Sequence, residues 1–169
     1  MGGAFIVLAA FAGSGLAQSA RLSVGDVAPR VVLRQADGEL VDSRSFAGKV
    51  YVVDFWSPFC APCRGAVPWL NTAHRELEAQ GGAVLGVMAG RAEASDVAAA
   101  VREWHMRFVV GAPFMSGQAD RSDGYGVRRL PATFVVGSDG HVAAAFYRMP
   151  SESQLLAAVR SALAAGDDG

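Results

Sequence analysis

A chain of 169 residues with a formal charge of −1 has the size of one domain plus a short extra segment, and it is long enough to bury a full core. It carries no basic patch or charge run, so the electrostatic footprint of a nucleic-acid binder is missing and no nucleic-acid partner is expected. Hydrophobic residues make up 51% of the chain, but alanine supplies much of that share, and the figure alone does not indicate a membrane protein.

The first stretch, MGGAFIVLAAFAGSGLAQSA, has no charged side chain before Arg21. Its apolar run, residues 4–16, has the length of a secretory hydrophobic region and is short for a bilayer span. Gly15-Leu16-Ala17 puts small residues at the two positions a signal peptidase selects, although the basic segment that normally precedes such a run is missing. Residues 1–21 are therefore expected to be a signal peptide cleaved after Ala17, or an uncleaved membrane anchor through residues 4–16. Either places the remainder in a periplasmic or other extracytoplasmic compartment. That remainder divides into one domain, residues 22–165, and an acidic tail, residues 166–169.

From Leu22 onward strand-like and helix-like patterns alternate. VVLRQADGELVD reads as a hairpin turning at Asp37-Gly38, and KVYVVDFW is a β-branched and aromatic run typical of a strand buried on both faces. After it, Trp69, Leu70, Ala73 and Leu77 recur at helical spacing until Gly81-Gly82 ends the pattern. AVLGVMA is a second core strand, and Ser95 is expected to cap the helix DVAAAVREWHM, with the short apolar run RFVVG behind it. ATFVV and HVAAAFY form an antiparallel pair about Asp139-Gly140, and Ser151 opens a last helix through Ala165. The order βαβ, an α-β insert and ββα predicts an α/β fold, with a mixed central sheet covered on both faces.

The only two cysteines, Cys60 and Cys63, follow a core strand and open a helix. Three residues apart on a helix, two Cβ atoms face the same side about 5–6 Å apart, within reach of a reversible disulfide. Free N–H groups and the helix dipole favour thiolate at Cys60, and Pro62 removes an amide that would have no helical partner. Cys63, one turn further in, is expected to be less accessible. This assigns Cys60 as nucleophile and Cys63 as resolving thiol. A structural zinc site needs four ligands, and the chain offers no second pair and no i, i+4 histidines among His74, His105 and His141, so no metal is expected. A purely structural bridge closing so short a loop constrains the unfolded chain little.

VDFWSPFCAPC resembles the active-site stretch of the thioredoxin superfamily, including an aspartate six residues before the first cysteine. Pro68, five residues after Cys63, stands where thioredoxins kink the same helix, and GVRRLPATF resembles their cis-proline loop with Pro131 as the cis residue. The leader, the N-terminal hairpin and the insert are similar to those of exported TlpA/ResA-like thiol-disulfide oxidoreductases. Ala66 stands where that subfamily often has glutamate, and Asp54 where it often has asparagine.

The resemblance implies a thioredoxin-like fold with an N-terminal β-hairpin and a central α-β insert. It also implies an enzyme that needs no cofactor. On this reading Cys60, Cys63 and Asp54 are catalytic. Asp54 lies among apolar neighbours that raise its pKa, and it takes the Cys63 proton. Trp56, Pro58 and Phe59 form an apolar rim around Cys60. The Leu130 backbone beside Pro131 pairs with an extended substrate segment. Ala61 and Pro62 add no donor to stabilise a thiolate, which predicts a reductant of protein disulfides recycled by an upstream membrane or soluble thiol donor. In the resembled family that role often serves cytochrome c maturation. Two alternatives stand beside it. One is a peroxiredoxin-type peroxidase, with Ser57 three before Cys60 but Val53 in the proline position. The other is a copper metallochaperone using Cys60, Cys63 and an imidazole such as His141.

Overall fold

A computed structural model of the chain describes residues 21–114 and 122–166; the expected leader and the last three tail residues lie outside the described residues. Among the described residues no helix is long and apolar enough to cross a membrane. The elements are β1 (Val32–Arg34), β2 (Leu40–Asp42), β3 (Tyr51–Trp56), α1 (Ala61–Glu78), β4 (Val84–Met88), α2 (Ala94–Glu103), β5 (Val109–Pro113), the single turn α3 (Ser122–Tyr125), β6 (Ala132–Val136), β7 (Val142–Phe146) and α4 (Glu152–Gly166).

The strands form one mixed sheet in the order β2-β1-β5-β4-β3-β6-β7. β3, β4 and β5 run parallel, whereas β6 pairs antiparallel with β3, and β1 joins antiparallel to β5. Every residue of β3 and β4 is buried, as expected of continuous apolar runs at a sheet centre. Side chains alternate between two cores. Val52, Trp56, Val84 and Val135 face the apolar stripes of α1 and α4, with Ala100 of α2 on the same side. Val53, Phe55, Leu85 and Phe134 point the other way, under Tyr125 and the chain preceding β1. The expected fold class holds: a thioredoxin-like α/β fold with a mixed sheet, an N-terminal hairpin and an α-β insert.

Two helix starts differ in how they are capped. At α4, Ser151 Oγ accepts from the Gln154 amide (3.2 Å) while the Gln154 side chain accepts from the Ser151 amide (2.9 Å), a reciprocal box at the expected place. Ser95, expected as the cap of α2, lies inside its first turn; Glu93 takes the cap position with no side-chain hydrogen bond. A serine followed by aspartate carries capping chemistry in two registers, and the preceding residues Glu93-Ala94 are good enough helix formers to extend the turn backwards.

Candidate active site

The loop from β3 into α1 is fixed by its own sequence. Ser57 Oγ accepts from the Phe59 amide (3.3 Å) and Ser57 O from the Cys60 amide (3.0 Å), a tight turn that delivers Cys60 to the helix N-cap. Cys60 has extended backbone angles (φ −98°, ψ 94°), and its sulfur accepts from the Cys63 amide at 3.2 Å. The two cysteines are joined as a disulfide with S–S 2.02 Å and Cα–Cα 5.3 Å. Cys60 is half-buried and Cys63 only 2% exposed. An incoming thiol or disulfide can therefore reach the outer sulfur and not the inner one.

Asp54 sits on β3 with its side chain on the α1 face, the side that also holds Cys63. It is 1% exposed. Desolvation pushes its pKa up to about 7, opposed by a 2.7 Å hydrogen bond from Thr133 Oγ1, its cross-strand partner on β6. Sequence reasoning anticipated the raised carboxyl and missed Thr133. Its place opposite Asp54 follows from the β3–β6 register, which no local pattern in the sequence states.

The apolar rim is smaller than expected. Phe59 is 71% exposed next to Cys60 and remains available to a partner. Trp56 is a correction: it is 1% exposed, packed edge-on against Trp104 with ring centroids 5.6 Å apart, and its buried indole N–H has no hydrogen-bond partner. It is the last residue of β3, so period-2 alternation turns it, like Val52, into the helix-facing core rather than toward solvent. Met149, in the β7–α4 connection, was not anticipated. It is 39% exposed, and its sulfur is 3.4 Å from where a Cβ on Gly65 of α1 would stand. No local pattern links positions so far apart in sequence.

The Leu130–Pro131 bond is cis; Pro131 is buried, and Leu130 packs against both cores. The histidines do not converge on the cysteines. His74 Nδ1 accepts from the Val84 amide (3.2 Å), His105 ends α2, and His141 lies in the β6–β7 turn beside Asp139. The register Tyr51↔Val136 and Phe55↔Ala132 puts that turn at the opposite end of β3 from Cys60. At ~3.3 Å per residue His141 is too far away to share a copper ion with the cysteines, which removes it from that alternative.

Comparison with known proteins follows the same geometry. A family model described as AhpC/TSA family matches residues 24–145. The chain belongs to the AhpC/TSA family. Within curated proteins it is similar to the thiol-disulfide oxidoreductase ResA of Bacillus thuringiensis subsp. konkukian, 27% identical over 124 residues, covering 72% of this chain and 68% of that one. The ResA of Geobacillus thermodenitrificans is 29% identical over 122 residues, covering 72% and 67% respectively. Among solved structures, a Chlorobium tepidum protein assigned as thiol:disulfide interchange protein DsbE superposes with TM-score 0.73 at 28% identity, covering 84% of this chain and 99% of that one. The disulfide, the fold and these relatives agree on the enzyme class: this AhpC/TSA member is a thiol-disulfide oxidoreductase.

Proposed function

We propose that the chain reduces disulfides of exported proteins through Cys60, with Cys63 resolving and Asp54 moving the proton. The observation that carries the assignment of roles is the asymmetry of the disulfide: one sulfur reachable at the helix cap, its partner sealed beneath it. In the reduced protein the Cys60 thiolate attacks a substrate disulfide. The new bond joins Cys60 to one substrate sulfur, and the other leaves as a thiolate that takes a proton. Cys63 gives its proton to the Asp54 carboxylate and attacks Cys60 Sγ. This releases the second substrate thiol and forms the Cys60–Cys63 disulfide, so that two electrons have passed to the substrate. An upstream dithiol then returns the pair to its reduced form.

The Cys63 amide gives Cys60 one hydrogen bond, and Ala61 and Pro62 add no side-chain donor. A thiolate so modestly stabilised favours a reducing couple over a strong oxidant. Phe59 and the Leu130 backbone beside Pro131 supply the contact surface for an extended substrate segment. Export, with residues 1–21 as leader or anchor, supplies the compartment, and cytochrome c maturation is the substrate pathway that the family resemblance favours. The peroxidase alternative requires a sulfenate at Cys60, whereas the bonded partner one turn away favours dithiol exchange.

The test is to purify Cys63→Ser from the native host and identify mixed disulfides on Cys60 by mass spectrometry, alongside insulin reduction and a redox titration of the unaltered protein. Substrate proteins trapped on Cys60 and a potential near or below that of glutaredoxins are expected. A potential above that of disulfide isomerases with no insulin reduction would overturn the direction.

A further inference from the structure

On the surface where α1 meets the turn after α2, a cleft of about 470 Å3 is lined by Pro68, Asn71, Thr72, Arg75, His105 and Arg107. Two guanidinium groups and an imidazole share it, and none of its lining residues is acidic. Arg75 donates to Thr72 Oγ1 (3.3 Å), and neither Arg75 nor Arg107 forms an ion pair among the described residues. The nearby carboxylate of Glu76 accepts two hydrogen bonds from Arg160, at 3.0 and 2.6 Å, and feels the charge of Arg75 more weakly. The chain as a whole is slightly acidic, at −1, so this concentration of positive charge is local.

The cleft wall is held in place. Asn71 reaches across from α1, donating to His105 O (2.9 Å) and accepting from the Arg107 amide (2.8 Å). α2 ends in a Schellman turn: the Met106 amide bonds Val101 O (3.1 Å) and the His105 amide bonds Arg102 O (3.2 Å). Such a turn wants a left-handed residue, usually glycine, at the position His105 occupies with φ 57°. An imidazole is thus presented to the cleft at a site where the backbone would be less strained without any side chain, an outlier of the kind that accompanies function.

We propose that this cleft is a docking site for an acidic segment of a partner protein, whose carboxylates pair with Arg75 and Arg107 beside His105. The fixed fork of arginine matches carboxylate geometry. Arg75, His105 and Arg107 are all exposed, so the cleft leaves a small free anion largely in water, whereas an extended chain lays successive carboxylates along it. At 1.5 Å rise per residue Arg75 stands about 18 Å along α1 from Cys63, and nothing in the contact uses either cysteine. Success or failure here is therefore separable from the redox reading.

The test is an amide-resolved NMR titration of the oxidised full chain with a hexaglutamate peptide at low salt. Saturable shifts at Asn71, Thr72, His105 and Arg107 are expected, weakening as salt rises. Arg75→Ala with Arg107→Ala should reduce affinity about tenfold with the remaining spectrum unchanged, Arg107→Glu alone should abolish binding, and Arg44→Ala on another face should have no effect. Shifts scattered over other arginines, equal weakening by Arg44→Ala, or inorganic phosphate binding as tightly as the peptide overturns the proposal.

Discussion

Asp54 sets its surroundings against its proposed role: the carboxylate is buried to 1% exposure, and the proposed proton transfer needs it charged part of the time. Its pKa of about 7, raised by desolvation, puts both forms within the working range. Because the folded value lies above the unfolded one, the folded protein holds the extra proton between them. Stability therefore falls as pH rises from about 4 to 7 and stays lower above that. Asp54→Asn removes the titration and keeps an acceptor for Thr133. It should stabilise the protein by about 4 kcal/mol at most at pH 8 and by almost nothing at pH 4, read from urea unfolding. The same variant should slow turnover against a disulfide substrate and flatten its rise through pH 7; an unchanged rate across pH 6 to 9 removes Asp54 from the mechanism. Thr133→Val takes away the hydrogen bond that lowers this pKa and should move the rise to higher pH. The raised pKa of Asp54 was legible from its apolar neighbours, whereas the role proposed for it came from the family resemblance. Thr133 was not legible, because its role depends on the β3–β6 register, which no local pattern states.

Single helices and strands show the same division. The start of α4 was readable because Ser151 and Gln154 satisfy each other's backbone within one turn, and the end of β3 because its apolar run stops at Ser57-Pro58. The start of α2 was misplaced by local chemistry that fits two registers. The β1–β5 pairing was invisible, since it is written across almost eighty residues in a close approach: a Cβ on Gly111 would stand 2.7 Å from Arg34 O. The end of α2 yields a prediction that separates stability from function. His105→Gly relieves a left-handed side chain in the Schellman turn and should raise unfolding stability by about 1 kcal/mol in urea. It should also weaken hexaglutamate binding, since the imidazole is lost from the cleft. A variant that is destabilised instead would show that the His105 side chain, rather than the backbone angle, holds the turn.

Over the whole molecule, the two faces of the sheet are closed by different means. Helices α1, α2 and α4 cover one, as the alternating pattern foretold. The other is covered by chain that carries little periodicity: the segment before β1, and Tyr125 of the one-turn α3, fully buried at 0% exposure. Tyr125 packs between Phe55 (5.2 Å) and Phe134 (4.8 Å), and its hydroxyl donates to Pro29 O at 2.9 Å, so one side chain ties the β5–β6 connection, the leading segment and the central sheet together. Farther along, the Gly25 amide bonds Val142 O (2.8 Å) and the Val142 amide bonds Asp26 O (2.8 Å), fastening the same segment to β7. If this segment is part of the cooperative fold, losing one of its hydrogen bonds lowers the stability of everything. Tyr125→Phe keeps the ring contacts and strands the Pro29 carbonyl, which should cost about 1–2 kcal/mol, shifting the urea midpoint with an unchanged slope. If the segment is instead a strap that opens by itself, the midpoint stays put, and only the amides of Gly25, Ala28 and Val142 lose protection from hydrogen exchange. The full burial of Tyr125 between two rings of the central sheet favours the first outcome, and a fixed midpoint with selective loss of protection would overturn it.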